Sequence, residues 1–379
     1  MSFILTEDQA LIRNMVREFA ENEVKPIAAE IDKTHQFPLA TVKRMGEIGL
    51  MGMTIPDELE GSGGDTLSYA MAVEELARVC ATHGVILSVH MSVCTYPIYS
   101  MGTEAQKKKY VPDLASGRKI GGFCLTEPGA GSDAAAQTTT AVRQGDKYIL
   151  NGQKIFITNG GYADTFIVIA MTDKSKGIKG STAFIVEKAF PGFSVGQTED
   201  KMGICASSTT EILFKNCEVP VDNVIGKEGE GFKVAMKTLD GGRISIGAQA
   251  LGIAQGAYEA AVTYAKERVQ FGKPIAANQG IQWMLADMAI RIEAARGLVY
   301  NAAVLKENKK PFGVEGAMAK VFASETAMWV TTKAVQVHGG IGYTKSYPVE
   351  RMMRDAKITE IYEGTSEIQR TVIARSILA

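Results

Sequence analysis

The sequence predicts an α+β protein built as three consecutive blocks. An N-terminal α-helical domain spans residues 1–120, a middle domain of β-barrel or sandwich-like type spans 121–230, and a C-terminal four-helix-type bundle spans 231–379. Three observations lead to this division. Apolar residues recur at helical spacing up to about Leu114; β-branched and aromatic residues punctuated by turn formers follow; the helical period then returns over a long proline-free stretch. Separated helical and β blocks argue against a doubly wound sheet.

In the first block, Leu11, Ile12, Met15, Val16, Phe19, Ile27 and Ile31 give an apolar face between Glu7 and Ile31. Pro38 opens a second helix carrying Leu39, Val42, Met45 and Ile48, which stops near Gly49, the expected placing of Pro at the start and Gly at the end. Further helices are expected at Leu67–Ala81 and Glu104–Leu114.

The middle block begins near Gly121. Val142, Tyr148, Ile149, Ile155, Ile157, Phe166, Ile167 and Val168 are strand formers, and Phe184–Val186 and Glu211–Phe214 extend the pattern to about Val224. Asn151-Gly152, between Lys147–Leu150 and Gln153–Thr158, predicts a two-residue hairpin turn.

From Gly231 the helical period resumes, and Phe232–Arg268 contains no proline, allowing an unusually long helix. Helices at about Asn278–Glu307, Val314–Val337, Val349–Lys357 and Ser366–Leu378 supply enough faces for a bundle. Neither an internal repeat nor a low-complexity tail is evident.

Composition narrows the function classes. The 379 residues are 46% hydrophobic and 22% charged, with a formal net charge of −1, the profile of a globular protein with no field favouring nucleic acid. Lys107–Lys109 and Lys309-Lys310 read as solvated faces. The five cysteines are widely spaced without a C-x-x-C pair, which fits a reducing compartment. His35, His83, His90 and His338 lack metal-ligand spacing, so no metal is expected. The N-terminus carries no basic leader, and no stretch approaches the ~20 apolar residues of a membrane span. The expected location is cytoplasmic in a bacterium, or the mitochondrial matrix if a transit peptide has been removed.

Two local patterns bear on chemistry. Gly129-Ala130-Gly131-Ser132-Asp133-Ala134 matches G-x-G-x-x-A, but Thr138–Val142 runs on toward a strand where a dinucleotide loop requires a helix, so the match is discounted. Near the C-terminus, Ile361-Tyr362-Glu363-Gly364-Thr365-Ser366-Glu367 sets a carboxylate between bulky residues and a helix start. Ser366 and Gln369 have capping-box spacing, which puts Glu363 on the preceding loop. It suits a catalytic base, or more simply a carboxylate complementing a helix N-terminus.

Phe123–Ser132, Lys154-Ile155-Phe156-Ile157-Thr158-Asn159-Gly160 and the Tyr-Glu-Gly-Thr segment together resemble the acyl-CoA dehydrogenases, and among them the short-chain, butyryl-CoA type. The likeness runs over essentially the whole chain. It implies an FAD enzyme that removes two hydrogens across the α,β bond of a short acyl thioester, giving a trans-2-enoyl-CoA, and passes electrons to an electron transfer flavoprotein. Glu363 would take the α-proton and the flavin would accept the β-hydride. Some relatives place the base two residues after an Asp that is here Asp240; Gly242 stands there, which favours Glu363.

The same resemblance assigns the remaining sites. Phe123, Leu125, Thr126, Gly131 and Ser132 would line the cofactor, with Phe156, Ile157 and Thr158 against the flavin ring. Ser132, Asp240, Gly241, Gly242, Arg243 and Gly364 would meet the acyl-CoA, although Arg243 read alone is a structural ion-pair partner. Arg268, Phe271 and Gln279 would reach the FAD of a neighbouring subunit, Arg268 on its pyrophosphate. Gln336, Val337, His338, Gly339 and Gly340 resemble another FAD-contacting loop, with Thr365, Ser366 and Glu367 near the cofactor as well. His338 is read as a packing residue rather than a proton carrier, and Glu367 as a helix-dipole complement. The family is typically a homotetramer built through the C-terminal bundle. Branched-chain specificity, an acyl-CoA oxidase and a non-catalytic flavoprotein stay open as alternatives.

Overall fold

The computed structural model describes residues 4–378. The N-terminal block holds α1 (Glu7–Phe19), α2 (Ala28–Thr34), α3 (Leu39–Glu47), α4 (Thr66–Val79), α5 (Ala81–Ser88), α6 (Tyr96–Met101) and α7 (Glu104–Ala115). The Glu7–Ile31 segment is helical as expected, but π- and 3-10-type turns over Ala20–Ile27 interrupt it at Pro26, which has no N–H to give. One helical stretch is additional. Residues 81–101 form α5, a π-helical turn over Val89–Thr95, and α6, and nearly every residue in them is buried.

Eight strands form the middle block: β1 (Gly121–Cys124), β2 (Thr140–Gln144), β3 (Lys147–Thr158), β4 (Thr165–Met171), β5 (Ser181–Glu187), β6 (Phe193–Thr198), β7 (Thr209–Pro220) and β8 (Val224–Ile225). They pair in the order β6-β7-β3-β2-β4-β5-β8, with β1 parallel to β4. β4, fully buried, and β5, buried up to Val186, supply the core between the sheet and the helices.

The expected Asn151-Gly152 hairpin is overturned. Both residues lie inside the continuous β3, at a register shift against β7, and the actual two-residue turn is Gly145-Asp146 between Gln144 and Lys147. Glycine stands at 152 for clearance: a Cβ there would sit 2.7 Å from Thr139 Cα.

The C-terminal block contains the 37-residue α8 (Gly231–Glu267), a two-strand ribbon, β9 (Val269–Gln270) and β10 (Lys273–Pro274), then α9 (Gln279–Glu307), α10 (Gly313–His338), α11 (Val349–Thr359) and α12 (Ser366–Ile377). The helix α8 packs against α10, α9 and α11 and also against α4, joining the two helical blocks. No helix among the described residues is long and apolar enough to cross a membrane.

Candidate active site

Glu363 lies between α11 and α12 in a left-handed conformation (φ 52°), followed by Gly364 at φ 95°. A non-glycine residue there stores strain, so the surroundings must hold it. Four contacts do so. Tyr362 donates its hydroxyl to Gln249 Oε1 on α8 at 2.5 Å. Gln369 Nε2 donates to the carbonyls of Glu363 and Gly364, at 3.2 and 2.9 Å, and Lys320 Nζ on α10 donates to the Gly364 carbonyl at 2.7 Å. The helix cap is Thr365, accepting from Ile368 N–H, rather than the expected Ser366. Gln369 is therefore engaged with the turn carbonyls, and Ser366 Oγ is buried without a partner.

The residue is half-buried, yet its Oε2 is wholly enclosed and has no hydrogen-bond partner among the described residues. Burial raises the carboxyl to about 7, against the opposing pull of Lys320 and Arg243. An enclosed carboxylate with an uncommitted oxygen and a near-neutral pKa is what proton abstraction at physiological pH requires. Oε2 points at Gly242 of α8, where a Cβ would lie 1.9 Å from it.

Asp240 and Arg243 pair at 2.6 Å on α8, so the plain ion-pair reading of Arg243 holds for one of its nitrogens. Its Nε is buried without a partner. Gly241 is adjacent, with Lys306 Nζ 3.4 Å from where its Cβ would be. Beneath Gly242, Ser245 Oγ donates to the Gly242 carbonyl at 2.9 Å and lies within 2.8 and 3.2 Å of the Ser88 and Ser92 hydroxyls. Val93 Cγ1 is 3.2 Å from the position of a Gly242 Cβ. Neighbouring His90 takes the Gly121 N–H on Nδ1 at 3.0 Å, and its Nε2 faces the carbonyls of Met51 and Leu114. The Val89–Thr95 turn thus joins α8 to β1.

Sequence reading missed the lysine that shapes the β-domain part of the site. Lys154 is fully buried and donates to the Leu125 carbonyl, Glu127 Oε1 and Gln137 Oε1, at 2.9, 2.8 and 3.3 Å. Burial alone would raise the Glu127 carboxyl, but Lys154 and the Thr138 donors outweigh it and hold it at about 2. Ile155 N–H donates to the Thr126 carbonyl at 2.9 Å, so Leu125 and Thr126 are tied directly to the segment carrying Phe156, Ile157 and Thr158. Phe156 sits at a register shift with φ 58° and is 58% exposed, whereas Ile157 is buried. Phe123 is half-buried on β1, and Gly131 and Ser132 are exposed on the turn that follows.

Most of the remaining expected cofactor residues lie toward the far end of α8. Arg268 lies twenty-six residues beyond Gly242, about 39 Å along α8 at 1.5 Å per residue. There His338 stacks on Tyr264 at 4.4 Å and donates from Nδ1 to the Ala334 carbonyl at 2.8 Å, beside buried Val337. Arg268, Gln279, Gln336, Gly339 and Gly340 are exposed nearby in the chain, and Phe271 is 98% exposed. Thr365, Ser366 and the exposed Glu367 stay with Glu363; the Glu367 carboxyl is lowered by its own backbone N–H and the Thr365 hydroxyl at the helix start.

Two separate parts of this chain offer features that suit a flat aromatic cofactor with a polyphosphate arm. Phe156 offers an exposed ring, Ser366 Oγ and His338 Nε2 are buried and unpartnered, and open space surrounds Gly131, Gly339 and Gly340.

This fold, three blocks with an enclosed carboxylate facing a glycine of the central helix, is that of a dehydrogenase acting on acyl thioesters. The chain belongs to the acyl-CoA dehydrogenase family: models of its N-terminal, middle and C-terminal domains match residues 6–118, 122–217 and 229–378. It is 62% identical, over the whole of both chains, to the short-chain specific acyl-CoA dehydrogenase of Clostridium acetobutylicum. The butyryl-CoA dehydrogenase of Megasphaera elsdenii is 51% identical and superposes with a TM-score of 0.98, each chain fully covered. A chain from "Electron transferring flavoprotein of Acidaminococcus fermentans: Towards a mechanism of flavin-based electron bifurcation" is 57% identical, with a TM-score of 0.99 and full coverage of both.

Proposed function

We propose that this chain is an FAD-dependent short-chain acyl-CoA dehydrogenase that oxidises butyryl-CoA or a close homologue to the trans-2-enoyl-CoA. The observation that carries the reading is the enclosed, unpartnered Oε2 of Glu363, held near neutrality and facing Gly242. As the base, Glu363 removes the α-proton of the thioester and retains it on its carboxyl group. Its backbone N–H, presented by the left-handed turn, suits the thioester carbonyl and would stabilise the charge that develops there. The FAD of this family supplies the acceptor for the β-hydrogen. Thr126, Phe156 and Thr158 would hold its ring, with the Lys154–Glu127 pair fixing the two segments that carry them. Val93 and the Ser88–Ser92–Ser245 hydroxyls close the space under Gly242, which favours a short acyl chain.

The distance from Gly242 to Arg268 supports a homotetramer in which Arg268, Phe271, Gln279 and the Gln336–Gly340 loop complete a neighbour's cofactor site. The electron acceptor in this reading is an electron transfer flavoprotein, and the likeness to the Clostridium and Acidaminococcus chains supports it. We place the enzyme in a bacterial cytoplasm on the same likeness.

Anaerobic titration of the holoenzyme with butyryl-, isobutyryl- and octanoyl-CoA, followed by oxidised-flavin absorbance, tests the substrate. Bleaching at the lowest concentrations by butyryl-CoA is expected. Stronger bleaching by isobutyryl-CoA would replace the straight-chain reading with a branched one, and rapid reoxidation by air would favour an oxidase.

A further inference from the structure

We propose that Lys320 is a positioning residue for the base: its ammonium, fixed on the Gly364 carbonyl, locks the left-handed Glu363–Gly364 turn and lends positive charge to the proton-abstraction site. The inference rests on Glu363 being the base.

Lys320 projects from the first third of α10 and is fully buried. It donates to the Gly364 carbonyl at 2.7 Å and forms no ion pair among the described residues. Burying an ammonium for one neutral acceptor is costly, and a glutamine or methionine would fill the same space without that cost. The charge therefore needs a counterpart, and the carboxylate that acts on it most strongly is Glu363, followed by Glu360 and then Glu367. The hydrogen bond and the charge act on adjacent residues of one turn.

The geometry explains why this turn survives. Left-handed backbone at Glu363 and Gly364 directs their carbonyls away from the enclosed carboxylate, toward Gln369 and Lys320. Removing those donors would leave turn carbonyls unpaired and free the backbone to relax. Glu363 would then lose its aim at Gly242.

Several other groups face the carboxylate. Arg243 adds a second positive charge from α8, tempered by its partner Asp240. Tyr69 from α4 and Tyr362 beside it feel the Glu363 charge and are pushed up by burial, so both stay neutral. Burial lowers Lys320 to about 8 while Glu363 stands at about 7, so near pH 7.5 the base is ionised and the lysine still charged. A charged Lys320 favours the ionised base; its loss raises the carboxyl further and moves the acid limb of activity to higher pH.

The test compares FAD-loaded wild type with Lys320→Gln, which keeps a donor and loses the charge, and Lys320→Arg, which keeps the charge. Flavin reduction by butyryl-CoA is measured from pH 5.5 to 9, together with the infrared carboxyl band that disappears in Glu363→Gln. In Lys320→Gln the acid limb and the carboxyl titration should both rise by roughly one pH unit, slowing reduction about tenfold below the limb and little above pH 8.5. Lys320→Arg should titrate like wild type with a lower kcat and little change in KM. An unmoved limb and band in Lys320→Gln overturn the proposal, as does an upward shift in Lys320→Arg should the glutamine variant fail to hold FAD. If Glu363→Gln reduces flavin at the wild-type rate, the base assignment itself falls; an inactive Glu363→Gln beside an unmoved Lys320→Gln removes only the lysine's role.

Discussion

Glu363 Oε2 occupies the space in which a side chain on Gly242 would begin, 1.9 Å from the position of its Cβ. The base loop and the central helix therefore admit one carboxylate between them, and the residue type at 242 decides whether Glu363 can stay. This relationship ties the absence of a side chain on α8 to the placing of Glu363, fifteen residues before the last described residue.

Gly242→Ala is expected to keep the fold and the FAD, since alanine favours a helix interior, while displacing the carboxylate. A misplacement on the order of 1 Å costs about 100-fold in rate. Stopped-flow flavin reduction by butyryl-CoA checks it, and a rate near wild type would mean that Oε2 does not act from this position.

The raised carboxyl of Glu363 has a stability signature. Its folded value, about 7, lies above its ordinary value of 4.5, so the folded state prefers the protonated form. That preference contributes stability fully below pH 4.5 and is lost as pH rises through 7. Because the residue is partly exposed as a whole, the loss should be about 1–2 kcal/mol. Urea melts of FAD-loaded wild type and Glu363→Gln at pH 5 and 8 should show the variant gaining that amount relative to wild type at the higher pH.

The Lys154–Glu127 pair should behave as a buried brace. Lys154→Met strands Glu127 as an enclosed, unpaired carboxylate, and removing one partner of such a pair costs about 3–5 kcal/mol. Thermal melts should show a large fall in Tm with weakened FAD retention. Because the Glu127 carboxyl is depressed to about 2, the pair's contribution is present above pH 4.5 and fades as pH falls toward 2.

Arg268 is exposed, so Arg268→Ala should leave the apoprotein's unfolding free energy within about 0.5 kcal/mol of wild type, as surface changes do. If it reaches a neighbour's cofactor, FAD affinity should drop by at least tenfold, roughly the 1.5–3 kcal/mol of a charge-assisted hydrogen bond. Unchanged FAD affinity would confine the cofactor site to a single chain.

Much of this was legible in the sequence because the period of the apolar residues changes cleanly at Gly121 and Gly231, and because long helices such as α8 carry strong signals. What escaped has physical reasons. Residues 81–101 are buried on nearly every side and mix polar residues such as His83, Ser88 and His90 among apolar ones, so no period marks them as helical. Asn151-Gly152 has hairpin chemistry, but its glycine is set by the approach of Thr139, a contact distant in space from any turn. The cap fell one residue early, on Thr365, because Gln369 is committed to the turn carbonyls. Nothing in the sequence gives Lys154 or Lys320 a role, and only the packing shows that each is enclosed on a backbone carbonyl. The Glu363 loop was readable since its neighbours are local; its relation to Gly242 spans one hundred and twenty-one positions.

Whether Glu363 is the base is read from anaerobic reduction of the bound flavin by butyryl-CoA in wild type and Glu363→Gln, at equal FAD occupancy and pH 8. Wild-type flavin should bleach rapidly, and the variant should bind the thioester yet reduce at least 1,000-fold more slowly, about 4 kcal/mol of lost transition-state stabilisation. Bleaching of the variant at the wild-type rate would contradict the account.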